Sequence, residues 1–438
     1  MEWLEAIPVH WSLSKLRYAF SFGKGLSITK ENLVDEGIPC VNYGELHSKF
    51  GFEVDPSGHQ LRCVEHSYLK TSPSALLRKG DFVFADTSED IEGSGNFTQL
   101  ISDIPTFAGY HTIIVRPECI DNARFFAYLF DSIEFRTRIR HAVKGVKVFS
   151  ITQAILRDAD VWLPSGAEQE KIAAFLDHET TKIDALIEKQ QRLIELLKEK
   201  RQALISHAVT KGLDPNAPMK DSGVEWLGEV PAHWVVARYK FCTTRVIVGI
   251  AEAATHAYAE SGVPIIRSTD IREDGLNQDG MLFIKKDFAE QNTSKYLYKN
   301  DVVTVRTGYP GTSAVVPEGL DQSHCFTNLV ATPRAEHHSQ FLVEYLNSYI
   351  GKKYFELHAW GSAQKNISVP ILQDFPIAFP EREEEEKIVQ YVSLQKQEFS
   401  KLIALAESSI GLMQERRTAL ISAAVTGKID VRNWQAAA

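Results

Sequence analysis

Basic residues cluster in one stretch of the first half of the chain, where their side chains could contact phosphate groups. Between Phe135 and Arg157 there is no Asp or Glu, and six cationic residues are present: Arg136, Arg138, Arg140, Lys144, Lys147 and Arg157. Arg136 and Arg140 are spaced to share one helix face, and Gly145 would allow another backbone to approach closely. The alternative is a solvated helix face without a ligand.

An arginine in a glycine-rich turn of the second half indicates a different chemistry. Arg306, Thr307 and Tyr309 lie in VRTGYPGTSAVV. A guanidinium in such a turn can reach two acceptors at once, such as guanine O6 and N7. A structural salt bridge is the alternative for Arg306. Lysines that follow this turn are further candidates for phosphate contact: Lys352, Lys353 and Lys365.

The chain is an internal repeat, which relates these two regions. RQALISHAVTKGLD, from Arg201, returns as RTALISAAVTGKID, from Arg417, with nine of fourteen positions identical at an offset of 216. The offset holds over about 90 residues and drifts further upstream, to 220 at Asp81 and Asp301. A match of this extent indicates duplication. Because loops absorb length changes cheaply, we expect the drifting segments to hold the loops that differ between the copies.

One of these differing segments lies where the second half has its Arg-containing turn. The first half has DTSEDIEGSGNF there, so Asp86, Thr87 and Ser88 offer other hydrogen-bonding groups than Arg306 does. The duplication therefore predicts two similar scaffolds that present chemically different surfaces and read different bases.

Each copy ends in a long helix with coiled-coil spacing, clear from Glu168 to Val209. The predicted interface positions are Ile172, Leu176, Ile183, Leu186, Leu193, Leu197 and Leu204 in the first helix and Ile388, Val392, Phe399, Leu402, Met413 and Leu420 in the second. Ser165 with Glu168 forms a capping-box signal, and Gly212 and Gly427 are predicted stops. Because each apolar stripe is narrow, we expect the two helices to pair antiparallel about a pseudo-twofold axis.

The globular halves have the pattern of an α+β fold. Short β-like runs, such as DFVFAD and YHTIIVRP, are broken by Gly, Pro and Asn and precede the helical stretch FFAYLFDSIEFRTRIRHAV. The second half repeats this order. The sequence thus predicts two similar α/β domains at 1–165 and 215–380, with a first helix at 166–214 and a second helix and tail at 381–438.

Composition limits the possible functions. With 438 residues, 44% of them hydrophobic and 24% charged, the chain should fold as more than one domain. The five cysteines are far apart, so no zinc ribbon is indicated, and no signal-peptide pattern or run of 18 apolar residues is present. A cytoplasmic location is expected. A net charge of -9 argues against non-specific coating of DNA, so any DNA binding must rest on local patches or partners.

Taken together, the motifs resemble the specificity subunit of type I restriction-modification systems over nearly the whole chain. They are the heptad helices, the ALISHAVT and ALISAAVT endings, WLGEVPAHW before the second domain, and GSAQKNI at Gly361 to Ile367. The resemblance implies two target recognition domains that each read half of a split DNA site, and helices that set the gap and dock two methyltransferase subunits. It also implies motor-nuclease partners, with S-adenosylmethionine, ATP and Mg²⁺ on the partners and no cofactor in this chain. The first half departs from the motif, since it has GVKVFSI in place of GSAQKNI.

Catalytic motifs are missing from the sequence. Amino-methyltransferases need an Asn/Asp-Pro-Pro-aromatic tetrapeptide, and this chain contains no Pro-Pro. Glu385 and Lys387 resemble part of a nuclease motif, but their place in an acidic helix start favours compensation of the helix dipole. His337 and His338 lack a nearby nucleophile, which favours a cap or surface role. A non-catalytic subunit is predicted, and the alternative function is a coiled-coil scaffold that binds only proteins.

Overall fold

The short apolar runs of both halves fold into β-strands, and the two heptad segments fold into long helices. The computed structural model describes residues 7–143, 148–251, 255–362 and 364–435. Contacts divide the chain into unit 1, which comprises Met1–Gln190 and Ser408–Ala438, and unit 2, which comprises Gln191–Glu407. Each unit therefore combines one globular half with segments of both long helices.

The first globular half contains two main sheets. Its strands are β1 (Ser12–Lys15), β2 (Phe20–Lys24), β3 (Ile38–Val41), β4 (Glu53–Val54), β5 (Cys63–Val64), β6 (Leu76–Leu77), β7 (Phe82–Ala85), β8 (Thr87–Ser88), β9 (Phe97–Leu100), β10 (Thr106–Ala108), β11 (Thr112–Pro117), β12 (Phe149–Ser150) and β13 (Asp160–Leu163). Its helices are α1 (Tyr43–Ser48), α2 (Tyr68–Thr71), α3 (Ala123–Asp131), α4 (Ile133–Ala142) and α5 (Gln153–Arg157), followed by the long helix α6 (Gly166–Lys211). The strand orders are β2-β11-β7-β9-β4 and β5-β3-β10-β6, with separate pairs β1-β13 and β8-β12.

An aromatic core joins the five-stranded sheet of unit 1 to its helices. Phe82, Phe84 and Phe97 project from the sheet onto Phe130 of α3, with ring centroids 5.0 to 5.7 Å apart. Offset and edge-to-face rings of this kind add to the free energy gained by burial. The same core contains the end of the second long helix, whose apolar residues there are Ile421, Ala424 and Val425.

The second globular half repeats this plan with two four-stranded sheets. Its strands are β14 (Met219–Asp221), β15 (Glu229–Pro231), β16 (Val235–Arg238), β17 (Thr243–Val248), β18 (Tyr258–Ala259), β19 (Val263–Ile266), β20 (Ile271–Arg272), β21 (Gly275–Leu276), β22 (Leu282–Ile284), β23 (Val302–Thr304), β24 (Ser313–Val315), β25 (His324–Cys325), β26 (Leu329–Pro333) and β27 (Pro376–Phe379). Its helices are α7 (Lys286–Gln291), α8 (Ser339–Leu346), α9 (Tyr349–His358) and α10 (Val369–Gln373), followed by the long helix α11 (Arg382–Val425). The main sheets have the orders β17-β26-β23-β24 and β18-β22-β19-β25.

Antiparallel helix packing is visible within each unit. In unit 1, Lys171 near the start of α6 contacts the carbonyl of Arg432, whereas Asp184, later in α6, pairs with Arg417 of α11 at 3.0 Å. In unit 2, the end of α6 and the start of α11 share one core, with Val209 and Ile388 among its residues. The predicted fold class, α+β with two similar domains and two long antiparallel helices, is confirmed. No helix in the described ranges is long and apolar enough to span a membrane.

A tryptophan and a glutamate fasten each globular half to the first turn of the long helix that follows it. Trp11 Nε1 donates to Glu168 Oε1 at 3.2 Å, and Trp234 Nε1 donates to Glu384 Oε1 at 3.1 Å. The glutamate that the sequence assigns to a capping box with Ser165 thus bonds a distant side chain. The predicted stops are observed, because α6 and α11 end just before Gly212 and Gly427, both at positive φ.

The heptad phase predicted from the sequence is wrong at three positions. Leu186, Leu193 and Leu402 are 49%, 44% and 49% exposed. The less exposed residue is the next one in each helix, since Ile187 is half-buried and Ile403 is 9% exposed. At these places a leucine and an isoleucine are adjacent, and either of them can complete the stripe that the other apolar positions form. The sequence therefore allows either heptad phase. Of the remaining predicted positions, Ile172, Leu176, Ile183, Ile388, Val392 and Phe399 are buried, and Leu197, Leu204, Met413 and Leu420 are half-buried.

Adjacent alanine substitutions test the corrected phase. Ile403→Ala should lower the free energy of unfolding by about 2–4 kcal/mol, because it removes buried methyl groups and leaves a cavity. Leu402→Ala, the matched control, should change it by roughly 0.5 kcal/mol or less, because its side chain is solvated. Urea unfolding followed by circular dichroism measures both. A larger loss from Leu402→Ala than from Ile403→Ala would contradict the structure and restore the phase predicted from the heptads.

Candidate nucleic-acid interface

The turn that follows β23 holds Arg306 in a fixed backbone frame. We call residues 305–312 the unit 2 turn. Its Gly308 and Gly311 have φ values of +94° and +100°, which favour glycine. A Cβ at Gly311 would lie 2.2 Å from Phe355 Cδ2 of α9, so only glycine lets the turn approach this ring. Phe355 of α9 therefore packs directly against the backbone of the unit 2 turn at Gly311.

A second segment of unit 2 bonds directly to this turn. Ile367 N donates to Arg306 O at 3.0 Å, and Gly308 N donates to Lys365 O at 3.2 Å. Thr307 Oγ1 donates to Asn366 Oδ1 at 2.5 Å. The GSAQKNI motif thus fixes the backbone that presents Arg306, and Thr307 has a positioning role through Asn366. Tyr309, at the tip of the turn, is 87% exposed.

Unit 1 fixes its own turn with the equivalent bonds. We call residues 86–96 the unit 1 turn. Ile151 N donates to Asp86 O at 2.8 Å, and Thr87 pairs with Ser150 in the β8-β12 ladder. The offset of 216 relates Ile151 to Ile367, and the offset of 220 relates Asp86 to Arg306. The two turns therefore occupy the same place in their units, and an acidic residue in unit 1 replaces an arginine in unit 2.

The unit 1 turn borders a cavity of about 670 Å³ that sequence reasoning missed. His47 Nε2 lies 3.0 Å from Thr87 O, and its Nδ1 lies 2.9 Å from Asn96 Nδ2. His111 Nδ1 lies 3.2 Å from Asp86 Oδ1, and the ring of Tyr43 contacts both histidines edge-on. These aromatic residues come from α1 and from the turn before β11. Only contacts between distant segments bring them together, and no local motif marked them.

The predicted arginines of α4 pair with carboxylates or donate hydrogen bonds to carbonyl oxygens of other segments. Arg136 pairs with Asp131 at 3.0 Å and donates to Asn96 Oδ1 at 2.8 Å. Arg138 pairs with Asp160 at 3.2 Å, and Arg140 donates to the carbonyl of Glu92 at 2.7 Å. Burial acts to raise the pKa of Asp160, but hydrogen bonds from Lys15 and Arg138 hold that pKa below its usual value.

The basic stretch thus has acidic neighbours that its own sequence does not contain, and its helix face is only partly free. Lys144 and Lys147, also predicted here, lie outside the described residues. Ser88, predicted beside Asp86, is buried at 6% exposure, whereas the side chains of Asp86 and Thr87 are partly exposed.

Basic residues of unit 2 are less compensated. Lys352 pairs with Glu273 at 2.7 Å, and Lys365 Nζ lies 3.4 Å from the carbonyl of Glu356. Lys353 is exposed. Arg306 is half-buried, and its Nε is buried without a hydrogen-bond partner among the described residues. At the unit 2 turn, one arginine donor is therefore buried and unsatisfied among the described residues.

The acidic start of α11 is structural. Glu385 is fully buried, with Oε1 2.8 Å from His337 Nδ1, while its Oε2 accepts from His338 N at 2.5 Å. The imidazole of His338 caps α8 by accepting from Gln340 N at 3.2 Å. Within the described ranges no group of three or more His, Cys, Asp or Glu residues could hold a metal ion.

Comparisons with known proteins identify a family and similar folds. A family model described as the type I restriction modification DNA specificity domain matches residues 8–197 and 252–416. No curated protein sequence matches the chain. A solved chain titled "Structural basis underlying complex assembly and conformational transition of the type I R-M system" is 17% identical over 97% of this chain and 100% of its own, with a TM-score of 0.70. The HsdS subunit from Thermoanaerobacter tengcongensis is 16% identical over 97% and 99%, with a TM-score of 0.49.

Glycine substitutions test the frame of the unit 2 turn. Gly311→Ala should lower the free energy of unfolding by about 1–3 kcal/mol, because it combines a left-handed φ with a clash against Phe355. Gly319→Ala is the matched control, since a Cβ there meets no atom within 4 Å, and it should leave stability nearly unchanged. Thermal unfolding of both variants provides the measurement, and equal transition midpoints would show that α9 does not support the turn as described.

Proposed function

The chain belongs to the type I restriction-modification DNA specificity family, and we propose that each of its recognition domains reads one half of a bipartite DNA target. The observation that carries this proposal is the pair of equivalent turns. The same backbone hydrogen bond fixes Asp86 in unit 1 and Arg306 in unit 2, while the two side chains differ in charge. A common scaffold with different turn chemistry suits a protein that reads two different sequences, because base contacts specify and the scaffold positions.

In unit 2, Arg306 is the proposed base-reading residue. Its backbone is fixed by Ile367, and its Nε has no partner among the described residues. A guanidinium held in this way can donate two parallel hydrogen bonds to guanine O6 and N7. The exposed Tyr309 flanks it and offers a ring and a hydroxyl group to the same groove.

Basic residues around the turns are proposed to contact phosphates. They are Arg136, Arg138, Arg140, Lys144, Lys147, Lys352, Lys353 and Lys365. Among them, Arg140 is bonded to a neutral carbonyl and Lys353 is exposed, and no carboxylate of the described residues pairs directly with either charge. Such contacts would position the protein on DNA without reading sequence.

The long helices are proposed to set the gap between the half-sites and to dock two methyltransferase subunits. Leucines off the buried stripe are exposed on both helices: Leu186, Leu193 and Leu196 on α6, and Leu394, Leu402, Leu405 and Leu412 on α11. Solvated leucines repeated along a helix are favourable contacts for a protein partner. We propose that motor-nuclease subunits join the same complex, and that the partners bring S-adenosylmethionine, ATP and Mg²⁺ while this chain performs no catalysis.

Substitutions at two arginines test the proposed function. Arg306→Ala should relax base preference at one half-site only, by about 1–3 kcal/mol for a lost bidentate pair. Arg140→Ala, the matched control, should weaken binding to all sequences and leave preference unchanged, because phosphates carry no sequence information. Selection from random duplex pools, with the chain in complex with its methyltransferase partner, measures both.

Two outcomes of that selection would contradict the proposal at different levels. Full discrimination by the Arg306→Ala variant would reassign the unit 2 turn as structural. If the complex with the unmodified chain selected no sequence at all, the alternative of a protein-binding scaffold, which suits the net charge of -9, would replace DNA reading.

Insertions in α6 test the proposed role of the helices in spacing. One heptad inserted between Glu188 and Leu193 keeps the apolar stripe in phase and adds about 10 Å of helix, equal to at most about 3 base pairs. The preferred gap should lengthen. A four-residue insertion, the control, should mostly impair binding, because it rotates the stripe. Methylation of duplexes with gaps varied one base pair at a time gives the optimum. An unchanged optimum would leave the helices only a docking role.

A further inference from the structure

We propose that the Asp86 carboxylate is the base-reading group of unit 1, and that it accepts a hydrogen bond from the exocyclic amino group of cytosine or adenine in the major groove. This inference rests on the proposed function, since it assumes that unit 1 contacts DNA. It adds the polarity of recognition: unit 1 accepts a hydrogen bond where unit 2 donates one.

The first argument is position. Asp86 and Arg306 accept the same backbone hydrogen bond, from Ile151 N at 2.8 Å and from Ile367 N at 3.0 Å. Asp86 directly follows β7, and Arg306 follows β23 after Val305. Each of these strands lies between two neighbours in its sheet. Equivalent main-chain frames direct their side chains from the same part of each recognition domain.

The second argument is the state of the carboxylate. Asp86 Oδ1 accepts from Thr87 Oγ1 at 2.8 Å and lies 3.2 Å from His111 Nδ1. Oδ2 has no hydrogen-bond partner among the described residues, and the side chain is 34% exposed. An ionised carboxylate is acceptor-only. Asp86 therefore offers one oriented, unused acceptor to whatever approaches the turn.

The third argument is preorganisation by His111. This residue has a φ of +55°, an uncommon conformation for a residue with a side chain, and its carbonyl accepts from Asp86 N at 3.1 Å. Gly109, two residues before it, cannot carry a side chain, because a Cβ there would lie 1.9 Å from Asn42 Oδ1. The histidine is thus held in a strained turn that places its imidazole beside the carboxylate.

The fourth argument is space. Asp86 lines a cavity of about 580 Å³, and His111 lines both this cavity and the one of about 670 Å³ described above. A base edge can therefore approach the carboxylate from an open side of the domain. The negative charge opposes phosphate contact at this point, so the favourable partner is a donor on a base. In the major groove, only cytosine N4 and adenine N6 are donors.

Pool selection with the methyltransferase complex tests this polarity. The unmodified chain should enrich one base pair at one position of the unit 1 half-site, and the amino group of that pair, on cytosine or adenine, is the expected contact. Asp86→Ala should remove that enrichment at that position alone, with a loss of discrimination of roughly 5- to 150-fold. Glu89→Ala is the matched control, because Glu89 is an exposed acid of the same turn, and it should leave the preference intact. Thermal unfolding of each variant checks that the domain remains folded.

A chemical arm identifies the contacted group. In the selected duplex, the cytosine or adenine of the enriched pair is replaced by its analogue without the amino group, 2-pyrimidinone for cytosine or purine for adenine. The unmodified chain should lose affinity, and the Asp86→Ala variant should bind both duplexes equally, because the two changes remove the same hydrogen bond.

The outcomes separate this inference from the proposed function. Absence of any selected half-site would reject DNA reading itself. Selection of two half-sites, with Arg306→Ala relaxing one and Asp86→Ala changing neither, would reject only the role of Asp86. Additive losses from Asp86→Ala and amino-group removal would reject it as well.

Discussion

The core of each unit is completed by the end of one long helix. Ile421 and Val425, from the end of α11, belong to the core of unit 1, and Ile205 and Val209, from the end of α6, belong to the core of unit 2. Removing either helix end would expose the apolar side chains of α3 or α8 to water, at a cost that scales with the area exposed. The duplicated ALIS and AVT segments are therefore required by packing. They also make both long helices part of both domains, so the length of a helix and the stability of a domain are coupled.

Within this shared frame, the two copies use different polar pairs at equivalent places. Tyr128 OH lies 3.2 Å from Thr180 Oγ1 in unit 1, and the same positions in unit 2 hold Glu344 and Lys396, which pair at 2.5 Å. Buried Asp81 pairs with Arg116 at 2.7 Å, whereas Asp301 pairs at 2.8 Å with Arg245, which comes from another strand. Burial raises the pKa of Asp301, so an adjacent cation is needed to keep it ionised. At these equivalent places each side chain keeps a polar partner, while the identity of the partner differs between the two copies.

The sequence predicted what depends on periodicity and repetition, and it missed what depends on contacts between distant segments. Both long helices, their glycine stops and the α+β pattern follow from local signals. The heptad phase was predicted wrongly because leucine and isoleucine are adjacent at Leu186 and at Leu402. Only packing decides which of the two side chains is buried. The carboxylate partner of Arg138, and the contact of His111 with Asp86, join segments that no local pattern relates. The offsets between the copies already relate Asp86 to Arg306. The backbone hydrogen bond that each of the two residues accepts is visible only in the structure.

A chain with a net charge of -9 cannot rely on phosphate attraction for its affinity, and this shapes how its proposed specificity arises. Non-specific binding grows with the number of phosphates neutralised, whereas discrimination is a difference between sequences. Pairing Arg136 and Arg138 with carboxylates reduces the attraction that every sequence would share. The Asp86 carboxylate also lowers the attraction shared by all sequences, because its negative charge repels the DNA phosphates unless a donor on a base compensates for it. Under the proposed function, low general affinity and demanding base contacts raise the ratio of specific to non-specific binding, and the remaining attraction to DNA must come from the subunits that the helices dock.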